Sequence, residues 1–205
     1  MKIVLVRPSY DYETQTMNAW AKTVRVGLFT AHDLDGFSAT EKNLRQCLQN
    51  SPDAELIAFY GHGSQESLVV RNSAEVETPI IHASGPGILP RELNSRNVYA
   101  VACLAGVNLG PALASANCRF VGYLGNFMMV PHFEREFGSV VNRGLLAWAN
   151  DGKTGAQVRK QLRRDWLRLS DDLADIHFHG DAQKERRRFI AVTAALYNGL
   201  FVCVR

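Results

Sequence analysis

Leu56-Ile57-Ala58-Phe59-Tyr60-Gly61-His62-Gly63 and Asn97-Val98-Tyr99-Ala100-Val101-Ala102-Cys103-Leu104-Ala105-Gly106 decide how this chain is read. Each is an apolar run of strand length that ends on a reactive side chain among small residues. Near-continuous apolar runs of this length suit strands buried on both faces of a parallel sheet. The two reactive residues are forty-one positions apart (103 − 62). In open α/β sheets, sites form beyond the carboxyl ends of the strands. His62 and Cys103 each follow a strand directly, so both are expected at that edge. A thiol and an imidazole there form a nucleophile and its proton-transfer partner.

Outward from these runs the pattern alternates. Residues 2–7 read as a first buried strand, followed by a short helix around Thr14–Ala21. Val24–Thr30 reads as a second strand, with a turn at Asp33-Leu34-Asp35-Gly36. Ser38 or Thr40 caps a helix to about Gln49 that turns Leu44, Cys47 and Leu48 inward. After His62, Ser67–Arg71 and Thr78–His82 are short extended pieces, and residues 72–90 form a Pro- and Gly-rich excursion. A helix is expected over Asn108–Asn117 and a fifth strand over Cys118–Leu124. Apolar residues at helical spacing mark three further helices over His132–Trp148, from Thr154 onward and from about Asp181 to Asn198. This order predicts one domain over 1–205, with a sheet core about 1–125 and a helical part about 130–200. The expected class is α/β, a three-layer α/β/α sandwich on a mainly parallel sheet.

The bulk properties exclude several functions. With 205 residues and 46% hydrophobic content the chain can bury a full core. No apolar run approaches the roughly 20 residues that span a bilayer. Met1–Arg7 is too short for a secretory signal, so a cytoplasmic protein without membrane contact is expected. The four cysteines, Cys47, Cys103, Cys118 and Cys203, form no CxxC pair and are expected as free thiols, the other three as small core residues. Net charge is +3; residues 151–205 hold 11 Lys+Arg against 7 Asp+Glu. That excess reads as the solvated face of two helices rather than a nucleic-acid surface. His177 and His179 lack a third ligand at a recognisable spacing, so neither a metal nor another cofactor is expected. His82 and His132 read as surface residues, Trp20, Trp148 and Trp166 as core, and Tyr60 as packing beneath the histidine loop.

The chemistry needs more than a dyad. A thiol of ordinary pKa is only a few per cent thiolate at neutrality, so an imidazole must take its proton and later protonate the leaving amine. Acyl transfer also needs oxyanion donors. Gly63, with no side chain, and the Cys103 N–H are the candidates. A helix starting near Asn108 adds positive potential beside the sulfur.

With Tyr60-Gly61-His62-Gly63 and Val101-Ala102-Cys103-Leu104-Ala105-Gly106 the chain resembles the caspase-like cysteine peptidases, and among them the bacterial CHAT-domain proteases. Cys-x-Ala-Gly is similar to the Cys-x-Ser-Gly of CHAT and metacaspase members, and Phe120-Val121-Gly122-Tyr123-Leu124-Gly125 also fits. The resemblance implies a catalytic dyad of His62 and Cys103, with Gly63 and Cys103 amides as oxyanion hole. It implies a cysteine endopeptidase acting on protein or peptide substrates in regulated proteolysis such as defence or cell death. Activation by a partner protein or by self-cleavage in 72–90 goes with it. The chain lacks the caspase Arg-Gly after the cysteine, and Val101 replaces the acid that metacaspases usually carry. The family places specificity determinants in the loop after the first strand, where Arg7 and Asp11 lie; Asp33 and Asp35 lie near the same edge. An Arg there would favour an acidic P1 side chain and an Asp a basic one. The alternatives are a catalytically silent caspase-like interaction domain, a flavodoxin-like regulator with Cys103 in its core, and a nucleic-acid module.

Overall fold

The computed structural model describes residues 1–71, 76–178 and 180–205. In chain order the elements are β1 (Ile3–Arg7), α1 (Tyr12–Arg25), β2 (Thr30–Asp35), α2 (Glu41–Asn50), β3 (Leu56–Tyr60), β4 (His62–Gly63), β5 (Ser67–Arg71) and β6 (Glu77–His82). They continue with β7 (Asn97–Val101), α3 (Leu109–Ser115), β8 (Phe120–Tyr123), α4 (Glu134–Ala149), α5 (Gly155–Ala174), α6 (Ala182–Phe201) and β9 (Val202–Val204).

The central sheet runs β2-β1-β3-β7-β8-β9, parallel throughout except for β9, and β4-β5-β6 form a small antiparallel sheet beside it. Every residue of β1 and β3 is buried, as the apolar runs require. Alternate residues face opposite sides. Ile3, Leu5, Ala58 and Tyr99 join one core with α1, α4, α5 and α6; Val4, Val6, Ile57 and Ala100 join a second with α2, α3 and the small sheet. Two apolar cores flanking one sheet are compatible with a three-layer α/β/α sandwich. Among the described residues, no helix is long and apolar enough to cross a membrane.

The second strand is not where the apolar letters put it. Val24 closes α1, and Val26 and Phe29 are exposed. The strand is Thr30-Ala31-His32-Asp33-Leu34-Asp35, and as the sheet's outer strand it buries only Leu34 fully. The fifth strand has a neighbour that the sequence pattern did not show: β9 pairs antiparallel with β8, Val121 opposite Val204. The C-terminal part is therefore not purely helical. Tyr60 faces α4, where its hydroxyl meets Asn142 Oδ1 at 2.9 Å, and so does not lie beneath the histidine loop. Trp20, Trp148 and Trp166 are buried as expected, and so are Cys47, Cys118 and Cys203.

A buried cation ties the sheet entrance together. Arg96 is 6% exposed and donates to the carbonyls of Ala54 (2.9 Å), Leu93 (3.0 Å), Leu48 (3.1 Å), Pro52 (3.2 Å) and Ser51 (3.4 Å). These acceptors lie at the end of α2, in the loop into β3 and just before Arg96 itself.

Candidate active site

His62 and Cys103 come from the carboxyl ends of adjacent parallel strands. Pairing of β3 with β7 continues past Tyr60, where the Gly61 N–H donates to Val101 O at 3.2 Å. The chain then leaves the main sheet, and His62 and Gly63 pair with Val69 and Leu68 of β5. Gly63 allows the two loops to touch. A Cβ there would lie 2.8 Å from the Cys103 carbonyl oxygen and 2.9 Å from Ala102 Cβ.

The cysteine loop is sharply turned and firmly held. Leu104 has φ +58°, a left-handed conformation that costs a side-chain-bearing residue roughly 1–2 kcal/mol. Hydrogen bonds to the end of β8 and beyond offset this: Leu104 N–H donates to Gly125 O at 2.9 Å and Gly106 N–H to Tyr123 O at 2.8 Å. Gly106 packs so closely on β9 that an added Cβ would sit 2.3 Å from Cys203 Sγ. The Cys103 sulfur is half-buried and accepts from the Phe127 N–H at 3.3 Å. Burial pushes the Cys103 thiol above its ordinary pKa of 9.0, and the Phe127 backbone bond offsets this only in part. Asn198, fully buried on α6, clamps that second loop by accepting from Met128 N–H at 2.9 Å and donating to Met128 O at 2.8 Å.

The imidazole has an orienting partner. His62 Nε2 lies 2.7 Å from Asp11 Oδ2. Asp11 is the N-cap of α1, and its Oδ1 accepts from the Thr14 N–H at 2.8 Å and the Thr14 hydroxyl at 2.7 Å. Burial opposes ionisation of Asp11, but the Thr14 bonds and His62 outweigh it and hold the carboxyl below its ordinary value. An ionised carboxylate only accepts, so Nε2 carries the proton of this bond, and in the neutral imidazole Nδ1 then holds the lone pair. The Tyr10 ring stands 5.7 Å from the imidazole, centroid to centroid, with the Arg71 guanidinium over it at 4.6 Å. His62 and Cys103 share no hydrogen bond; such contacts often tighten only when substrate binds.

The four specificity candidates separate. Asp11 is at His62. Arg7 is 3% exposed and forms a fork on Asp33, with Nε to Oδ1 at 2.7 Å and Nη2 to Oδ2 at 2.8 Å. Its Nη2 also meets Asp35 at 2.9 Å, its Nη1 meets Asn18 at 2.8 Å, and Arg25 reaches Asp33 at 3.0 Å. Arg7 and Asp33 are thus engaged with each other; Asp35, 55% exposed, is held as well, its Oδ2 by Arg7 and its Oδ1 by the Asn18 amide at 2.8 Å.

Asp11, Glu13 and His62 place donor atoms of metal-ligand type within 4.8 Å of one another. Of the His177/His179 pair, His179 lies outside the described residues, as do residues 72–75 of the 72–90 excursion. His82 accepts from the Ser84 and Gly85 N–H groups within its own turn, and His132 is an exposed residue bonded to Arg187. Sequence reasoning named Asp11 for another role and missed Phe127 and Asn198 altogether. For Asp11 a signal existed: it follows the strand next to β3, on the same edge. A comparison with protein-family models finds no match, and a comparison with curated proteins finds no relative.

Proposed function

We propose that this chain is a caspase-like cysteine endopeptidase with Cys103 as nucleophile, His62 as acid–base and Asp11 as the residue that orients His62. The observation that carries this reading is the meeting of the two loops: the Gly63 backbone lies against Cys103, and Asp11 fixes the His62 imidazole at the head of the same loop. Nucleophile, base and orienting group follow the logic of an acyl-transfer triad.

Cys103 Sγ attacks the scissile carbonyl carbon as its proton passes to His62 Nδ1. The N–H groups of Gly63 and Cys103 receive the developing oxyanion. The C–N bond then breaks, and the leaving amine takes the proton from His62. Water, deprotonated by the same imidazole, hydrolyses the thioester and restores the thiol. Because burial holds the Cys103 thiol up, proton transfer accompanies attack; a resting thiolate–imidazolium pair is not required. Among Arg7, Asp11, Asp33 and Asp35, we assign P1 recognition to Asp35 because it is the most exposed, although Arg7 and Asn18 also hold it; charge complementarity then favours a basic P1 side chain. Cytoplasmic regulated proteolysis, switched by a partner or by self-cleavage in 72–90, completes the proposal.

The test is intact-mass labelling with peptidyl electrophiles carrying Arg, Lys, Asp or Leu at P1. Single labelling that is abolished in Cys103→Ala and slowed in His62→Ala supports the proposal. Reaction at Cys47, Cys118 or Cys203 with Cys103 untouched would sink it. The silent interaction domain draws on the raised thiol and the missing His62–Cys103 bond, and it predicts that second result.

A further inference from the structure

One cluster takes no part as a unit in the chemistry proposed above. Asp11, Glu13 and His62 converge, with a donor atom of each within 4.8 Å of the other two. The donors are two carboxylates and one imidazole. Hard cations such as calcium and magnesium prefer oxygen ligands alone, whereas imidazole suits zinc, copper and nickel. Three protein ligands with a fourth position open is a common zinc arrangement.

We infer that Asp11, Glu13 and His62 bind a divalent zinc-type ion, and that this ion removes the base on which Cys103 depends. The binding stands on the cluster alone; the inhibition rests on the peptidase reading. The site is partly prepared. Thr14 occupies Asp11 Oδ1, leaving Oδ2 aimed at His62 Nε2 from 2.7 Å. Donors around a tetrahedral ion with bonds of about 2.0–2.1 Å stand about 3.3 Å apart, so that pair opens by roughly 0.6 Å. Glu13, exposed on the first turn of α1, supplies the third donor.

The effect on the base follows from proton counting. Neutral imidazole has one ring proton. With Asp11 accepting from Nε2, that proton lies on Nε2, and in the proposed mechanism Nδ1 accepts from Cys103. An ion at Nε2 needs that lone pair, so the proton moves to Nδ1 and the acceptor is lost. No proton leaves the ring, and the sulfur need not touch the metal.

Isothermal titration with zinc chloride tests the binding in the wild type and in Cys103→Ala, Glu13→Gln and His62→Ala. One ion per chain is expected in the wild type and in Cys103→Ala. Binding should be weakened at least about tenfold in Glu13→Gln and lost in His62→Ala. Peptidyl-electrophile labelling of Cys103, run in parallel, should slow with zinc in the wild type. Glu13→Gln should match the wild type without metal and need correspondingly more zinc to slow. Equal affinity in Glu13→Gln overturns the assignment, as does absence of stoichiometric binding. Loss of binding in Cys103→Ala also overturns it, because the ion would then sit on sulfur. Zinc binding as expected with a Cys103 that never labels would uphold the metal site and refute both the peptidase reading and the inhibition.

Discussion

Replacing Gly63 by alanine probes the contact on which the active-site reading depends. The new Cβ would lie 2.8 Å from the Cys103 carbonyl oxygen and 2.9 Å from Ala102 Cβ, with Ser67 O at 3.4 Å. Two of these neighbours are backbone atoms and the third is a Cβ, so no flexible side chain can swing away. Restoring ordinary contact distances requires the His62 and Cys103 loops to part by several tenths of an ångström or more. Overpacking of this kind costs about 1–3 kcal/mol. For a chain of this size, that lowers Tm by roughly 2–12 °C. Reaction geometry should suffer more, since a displacement of about 1 Å can cost on the order of a hundredfold in rate. Gly63→Ala should therefore remain folded and monitorable by circular dichroism, yet label at Cys103 at least about tenfold more slowly. Gly27→Ala serves as control, because its nearest contact is the Leu146 Cδ2 methyl at 3.3 Å, far from the site in the sequence and on another element. Wild-type Tm and wild-type labelling in Gly63→Ala would refute both the contact and its catalytic meaning.

Asp11→Asn keeps an N-cap but loses the anion, so labelling of Cys103 should slow at least about tenfold with little loss of helix. The lowered Asp11 pKa stabilises the fold above its ordinary value of 3.8, and this is lost as pH falls through the lower folded value; the wild type's Tm advantage over Asp11→Asn should therefore close on acidification, and a gap independent of pH contradicts the pairing. Alkylation of Cys103 by a small thiolate-selective reagent should still be rising at the ordinary thiol value of 9.0; a plateau near neutrality would show a resting ion pair instead. Arg96→Lys leaves several of five carbonyls without a donor and should lower unfolding free energy by about 3 kcal/mol in urea titration, whereas a change under about 0.5 kcal/mol would show the network to be dispensable.

The central-sheet strands legible in the sequence are those buried on both faces. Leu56–Tyr60 and Asn97–Val101 were visible because burial leaves an unbroken apolar run. β2 failed by the same criterion: its Thr, His and Asp residues are tolerated because an outer strand needs hydrogen bonds from β1 more than apolar contacts. The apolar letters of Val26 and Phe29 lie exposed in the turn before it. β9 gave no local signal, because α6 runs into it without a break and only its partner, far back in the chain, makes it a strand. The same divide holds at the site. Cys103 and His62 stand out by type and position, whereas Asp11 meets His62 across 51 positions and Asn198 meets Met128 across 70. Such partners are set by how strands and helices are laid side by side, which no window of sequence records.

The β8–β9 pairing also has a timetable. Val121 waits for Val204, 83 positions later (204 − 121). At synthesis rates of about 5–20 residues per second, that is roughly 4–17 s during which a nascent chain displays β8 as an open edge. Throughout that interval Cys203 is also missing from its place against Gly106, so the loop bearing Cys103 lacks one of its braces. The strand that closes the sheet is thus a clock as well as a wall: it sets how long the nascent chain presents an unpaired edge, and it delays completion of the Cys103 loop until most of the surrounding fold exists.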